Sequence, residues 1–276
     1  MSFKTVLALI GIDGTEADID KALTLSAELE AHLSVVIIRA AIFPLGIEYP
    51  VAAAWIEERQ REIDELAKIR QRVEEHCRKS GLSFDVHSIY DDLFNVERSI
   101  GMRCMYADVV VLGQGLRSDV ELRRVAVAAT AFDSGTPLLL MPRAGMIRSR
   151  PKNVLVAWNS RPQAANAAKA ALEMLVHAAT VHLVVVDPDS SYSRNGGEPG
   201  ADMAACLSRH GCKVEVQQLS SCERPVEDIL RQHAGELGCD MIVMGAYGHS
   251  RLRERIFGGV TAAILDDCAV PVFMGR

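Results

Sequence analysis

Asp240-Met-Ile-Val-Met-Gly-Ala-Tyr-Gly-His-Ser-Arg-Leu-Arg-Glu-Arg-Ile-Phe-Gly-Gly-Val-Thr261, followed by Ala262-Ala-Ile-Leu265, decides the fold of this chain. Its opening residues form the short apolar run of a parallel strand buried on both faces. Residues 262–265 read as helix, so the unit is strand, glycine loop, helix. Gly245, Gly248, Gly258 and Gly259 lack a Cβ, and can take positive φ or let backbone approach a ligand. Where such a loop opens a helix, free N–H groups and the positive end of the helix dipole favour a phosphate. The spacing is not that of the common nucleotide loops. No Gly-Lys dipeptide occurs in the chain, which excludes a Walker loop, and Gly-x-Gly-x-x-Gly is absent from this stretch. Glycines that only turn the chain and break a helix are the plain alternative.

Working outward, the same grammar recurs. Lys4-Thr-Val-Leu-Ala-Leu-Ile-Gly-Ile-Asp13 is a buried strand running into Gly14-Thr15, a turn and helix-start signal. A helix over 19–29, a strand at Ser34–Ile38, a long amphipathic helix over 51–79 and a strand at 82–90 follow. Next come a helix over 94–104, a strand at 108–112, a helix over 121–133 and a strand at 137–141. Strands alternating with helices imply a parallel sheet with right-handed crossovers. The second half repeats the first. Lys152-Asn-Val-Leu-Val-Ala157 matches Lys4-Thr-Val-Leu-Ala-Leu9, and Asp240-Met-Ile-Val-Met-Gly245 matches Asp108-Val-Val-Val-Leu-Gly113. Pro271-Val-Phe-Met274 matches Pro137-Leu-Leu-Leu140. The long 51–79 helix finds only a short, glycine-led counterpart in Gly196–Arg209. With a boundary in the Pro-, Gly- and Arg-rich stretch from Pro142 to Pro151, the reading is two similar α/β domains, 1–143 and 151–276.

Composition narrows the function classes. The chain has 276 residues, 49% hydrophobic and 24% charged, enough for two domains with cores of their own. A net charge of −6 argues against general nucleic-acid binding. No charged-then-apolar leader and no uncharged apolar run of membrane length are present, so a cytoplasmic protein is expected. Seven cysteines, with no Cys-x-x-Cys pair, fit reduced thiols. Cys206, His210 and Cys212 have a spacing that can hold a metal, but no fourth ligand is evident, and ordinary thiols are the preferred reading.

A strand ending in Asp13-Gly14-Thr15, a late strand feeding Gly245-x2-Gly248-x9-Gly258, and a closing Val270-Pro-Val272 strand resemble the universal stress protein family. The resemblance covers nearly the whole chain, in tandem. It implies two Rossmann-like (adenine-nucleotide alpha hydrolase-like) domains, each a five-stranded parallel sheet flanked by helices. It also implies ATP, with Mg²⁺ held mainly by its phosphates and water, in a protein that regulates a stress response without fast turnover. Carried onto this sequence, Ala157, Asn159 and Val186 border base and ribose. Gly245, Gly248, His249, Gly258, Gly259, Val260 and Thr261 hold the phosphates. Two departures stand out. Gly259 replaces the Ser or Thr that follows the third glycine in the family, and Asn159 replaces the first-strand Asp. The first repeat keeps Asp13 but has only Gly113-Gln-Gly115, without the later glycine pair, so nucleotide is expected in the second domain. The closing strands of the two repeats are expected to pair the two domains edge to edge, and a homodimer is expected beyond that. An interaction protein without nucleotide, or a slow nucleotide hydrolase, are the alternatives.

The remaining candidates read as structural or solvent-facing. His249-Ser250 has no Gly-x-Ser-x-Gly elbow and no third group to orient a base, so catalysis is not expected. Arg251, Arg253 and Arg255 are either a basic edge near phosphates or a solvated turn. Asp91-Asp92 and Asp266-Asp267 read as solvated carboxylates. Trp158, at the end of a strand, reads as a packed core residue with bordering of an adenine as the other option. Residues 189–200 are a flap over the site or an irregular loop.

Overall fold

The structure is a computed structural model that describes residues 3–41, 49–188, 198–246, 259–266 and 268–276. The chain divides into two compact units, Lys4–Ser134 and Gly135–Arg276 with Met1–Phe3. The strand expected to close the first repeat therefore packs with the second unit.

In the first unit the strands are β1 (Thr5–Ile10), β2 (His32–Ala40), β3 (Phe84–Asp91) and β4 (Val109–Leu112). The helices are α1 (Thr15–Leu29), α2 (Tyr49–Arg78), α3 (Leu93–Cys104), α4 (Gln114–Ser118) and α5 (Val120–Ala128), with a π-helical turn at Ala129–Ser134. All pairings are parallel, β1 lying between β2 and β4 and β2 between β1 and β3. The continuous apolar runs are explained by burial on both faces: Val6 to Ile10 and Val109 to Leu112 are at most 1% exposed.

In the second unit the strands are β5 (Leu138–Leu140), β6 (Asn153–Ala157), β7 (Thr180–Val186), β8 (Val214–Leu219), β9 (Met241–Gly245) and β10 (Val272–Gly275). Its helices are α6 (Pro162–Ala170), α7 (Leu172–Leu175), α8 (Ala201–Arg209), α9 (Val226–Glu236) and α10 (Gly259–Asp266). Strand β6 pairs with β7 and β9, β7 with β8, and β9 with β10, all parallel. The closing strands β5 and β10 pair with each other antiparallel, Phe273 opposite Leu139. The strands are thus mostly parallel, five from each repeat, β1–β5 and β6–β10.

Both repeats share a tie at the amino ends of their strands. The Asp108 carboxylate, just before β4, accepts hydrogen bonds from the Lys4 and Thr5 amides at 2.7 and 2.9 Å. Asp240, just before β9, does the same for Lys152 and Asn153 at 2.9 and 3.1 Å. The aspartate that opens each matched run is therefore a clamp between the first and fourth strands of its repeat.

Two sequence expectations change. The helix expected over 121–133 is broken into α5 and the π-helical turn. Asp119 caps α5 through the Glu121 and Leu122 amides, both at 3.0 Å. Thr130 and Ser134 then donate back to the carbonyls of Ala126 and Thr130, bonds that compete with the regular ladder. Asp91 and Asp92 are half-buried rather than merely solvated: Asp92 accepts from the Asn95 amide at 2.8 Å as the N-cap of α3, and Asp91 accepts from the Asn95 side chain.

Candidate functional site

In the second unit, β6 is the strand at which the order turns. The chain leaves it for β7 and β8 on one side and returns through α9 to β9 on the other. Open α/β sheets place their crevice at the carboxyl ends of such a pair. A cleft of about 220 Å³ lies there. Of the residues singled out from the sequence, Ala157, Asn159, Val186, Gly245, Gly259, Val260 and Thr261 line this one cleft. Gly248, His249 and Gly258 lie outside the described residues, as do Ser250, the three arginines at 251, 253 and 255, Asp267 and most of the 189–200 segment.

Each wall has a local cause. The β6 end is set by parallel pairing, with the Trp158 amide donating to Val184 at 2.8 Å. Asn159 is exposed, and its side-chain oxygen accepts from the Arg161 amide at 3.2 Å. That turn, with Ser160 at φ 57°, starts α6. An aspartate there would make the same turn, so Asn159 preserves local geometry while removing a charge.

Gly245 is required for a reason other than the expected one. Its φ is not positive, and a Cβ on it would lie 2.6 Å from the Ala164 amide nitrogen. Gly275, beside it on β10, would press 2.6 Å from the Ala167 Cα. The run Ala164, Ala167, Ala168 and Ala171, all buried, thus lets α6 lie directly on two strand glycines. Gly245 serves helix-to-sheet contact, and the cleft inherits its depth from it. Gly259 differs again: a Cβ on it meets none of the described residues within 4 Å. It is the first residue of α10, whose opening amides have no intrahelical partner.

Sequence reasoning missed the far wall. Val184, Val226, Leu230, Met244 and Ala164 also line the cleft, as does Trp158. Val184 was accessible, since it stands two residues before Val186 and shares its face of β7. Nothing in the sequence pointed to α9. Trp158 is half-buried at the cleft wall rather than fully packed in the core. Arg231 of α9 donates to the Ala263 carbonyl and so ties α9 to α10. At the end of β7, Asp187 accepts from the Ser221 amide at 3.0 Å, joining the loops after β7 and β8. Hydrogen bonds from the Ser221 hydroxyl and amide hold its carboxyl below the usual range. The described lining is largely apolar and contains no carboxylate, a surface of the kind that small-molecule clefts present.

Among the described residues no group of three or more His, Cys, Asp or Glu can hold a metal ion, the Cys206–His210–Cys212 set included. No described helix is long and apolar enough to cross a membrane. A larger cleft, about 620 Å³, lies in the first unit between α1 and α2, with Arg72, Glu75, His76 and Lys79 on its rim. It has no glycine loop, and its size alone does not make it the better candidate.

Comparison with known proteins gives a consistent result. The sequence profile described as "Universal stress protein family" matches residues 151–276. A curated universal stress protein of Synechocystis is 33% identical over 70 residues, a match that spans 25% of this chain and 23% of that relative. A universal stress protein structure from Archaeoglobus fulgidus aligns over 100% of this chain and 97% of its own, with TM-score 0.67 and 19% identity. A functionally unknown protein from Pseudomonas aeruginosa PAO1 aligns over 99% and 92%, with TM-score 0.58 and 13% identity. At those identities the two structures speak for the fold alone, while the profile speaks for the sequence of the second half. Residues 151–276 are therefore a domain of the universal stress protein family.

Proposed function

We propose that this protein is a regulatory binding protein that takes ATP, or a related adenine nucleotide, in its second unit. The observation that carries the reading is convergence: residues chosen from separate stretches, Ala157 at the end of β6 and Asn159 just after it, Val186 on β7, Gly245 on β9 and Gly259 to Thr261 on α10, border one cleft. The base and ribose would lie against Ala157, Trp158 and Val186. The phosphates would lie toward the free amides of Gly259, Val260 and Thr261, where the helix dipole favours an anion. Mg²⁺ would then be held by phosphate oxygens and water, because no described residue of the lining is a carboxylate. A cytosolic, homodimeric protein that turns its nucleotide over slowly or not at all completes the proposal.

Thermal melting of the full chain with and without ATP tests it. At a hundred times the dissociation constant, binding to the folded state adds about 2.7 kcal/mol, or roughly 5–10 °C for a domain of this size. Val186→Glu, which puts a carboxylate into the cleft, is expected to abolish the shift. The two departures at Gly259 and Asn159 favour one rival, an interaction protein with an empty crevice. That rival wins if millimolar ATP leaves the melting curve unmoved.

A further inference from the structure

At the position that corresponds to this site in the first unit, beside the carboxyl ends of β1 and β4, sits a carboxylate of the chain itself. Asp18, on the first turns of α1, is 1% exposed, and its Oδ2 accepts a hydrogen bond from the Gly115 amide at 3.0 Å. The Gln114 amide also donates to that carboxylate, and the charges of Lys21 and Arg117 act on it. Those two cations are themselves buried, 9% and 1% exposed. The glycines that follow β4 are spaced for this carboxylate and not for a ligand. A Cβ on Gly113 would lie 2.6 Å from Asp18 Oδ2, and one on Gly115 would overlap the Asp13 carbonyl at 1.7 Å. Gly11 closes the other side, where a Cβ would sit 2.7 Å from the Leu116 amide nitrogen. Between the two strand ends, backbone and carboxylate thus come closer together than a Cβ would allow. In the second unit the first turn of α6 carries no acidic residue, and the corresponding crevice is open.

We infer that the first unit carries its own substitute for a bound anion, the Asp18 carboxylate, and that each chain therefore holds one nucleotide, in the second unit. The count rests on the proposed function; the internal anion does not. A buried carboxylate with two amides and two cations around it meets the same needs as a phosphate at such a position. The degenerate glycine loop is then the consequence of an occupant supplied by the chain, and the first unit keeps the architecture without the ligand.

Equilibrium dialysis of the full chain against ATP is expected to give one nucleotide per chain, and two would overturn the inference. A count of zero would refute the nucleotide reading of the second unit, and inorganic phosphate then decides on Asp18. Asp18→Ala leaves the amides and both buried cations without their carboxylate. Phosphate is expected to raise the melting temperature of that variant by several degrees more than that of the wild type, whereas equal shifts would overturn the inference. Should Asp18→Ala not fold, the Gly115 amide resonance of the wild type decides. It is expected to move upfield as Asp18 is protonated and to stay in place when ATP is added. A flat titration, or movement with ATP, would overturn the inference.

Discussion

Gly259 is the residue at which this chain leaves its family's pattern and the structure leaves room to restore it. Because a Cβ there meets none of the described residues within 4 Å, Gly259→Ser is expected to fit. It would also relieve the entropic penalty of glycine in the first turn of α10. A hydroxyl donating to a charged phosphate is worth about 1.5–3 kcal/mol when buried and about 0.5–1.5 kcal/mol at an exposed helix start such as this. Titration calorimetry of Gly259→Ser is therefore expected to show ATP binding tightened by roughly two- to tenfold. Unchanged affinity would mean that the phosphates do not reach the start of α10. Asp18 carries a prediction of another kind. Burial pushes its carboxyl above the usual 3.8, against the lowering effect of the Gly115 and Gln114 amides and of Lys21 and Arg117. The folded chain thus holds the proton more tightly than the unfolded chain. The resulting stabilisation is complete below pH 3.8 and is lost as pH rises through the folded value. Denaturant melts of wild type and Asp18→Asn across that window are expected to show the wild type losing stability relative to the neutral variant. A constant gap would contradict burial as the dominant cause.

At the scale of elements, the fold was legible where burial dictates composition. Runs such as Val109-Val-Val-Leu112 and Met241-Ile-Val-Met244 have few other uses than a strand covered on both faces, and the repeat placed them in order. Residues whose role depends on a partner far along the chain were not legible. Asp108 and Asp240 appeared as the first letters of matched motifs, and only the structure shows each reaching back 104 and 88 residues to the start of another strand. Gly245 carried a true signal with the wrong cause attached, since close helix packing and ligand approach both demand a missing Cβ. The π-helical turn escaped because its cause, paired hydroxyls bonding back to carbonyls, does not disturb the apolar period. Half of the cleft was readable, as the strand ends and the start of α10. The α9 wall was not, because a helix side chain near a ligand looks like any buried position. The clamp itself is testable. Hydrogen bonds to a charged group are worth about 1.5–3 kcal/mol each when buried, and less when partly exposed as here. Asp240→Ala is expected to lower stability by about 1–2 kcal/mol in denaturant melts, with Asp108→Ala doing the same. Less than a few tenths in both would show the tie to be decorative.

For the whole molecule, no covalent cross-link assists the packing: all seven cysteines are free. Cys222 is exposed, Cys206 is half-buried, and Cys77, Cys104, Cys212, Cys239 and Cys268 are buried. Burial pushes the Cys77 and Cys239 thiols up to about 11, so neither supplies much thiolate near neutral pH. A thiol-specific reagent is therefore expected to titrate Cys222 quickly, Cys206 more slowly, and the remainder only through opening of the fold. In denaturant without reductant all seven should react, and Cys222→Ser should remove the fast phase. Such labelling also reads ligand binding where it acts. Cys239 precedes β9, the strand that carries Gly245 to the cleft, so its exposure requires the second unit to open. A nucleotide bound there at a hundred times its dissociation constant reduces the open population about a hundredfold. ATP is thus expected to slow labelling of Cys239 by up to that factor while leaving Cys222 as fast as before. If Cys239 reacts at the same rate with and without saturating ATP, the second unit does not hold the nucleotide, however well its crevice is shaped for one.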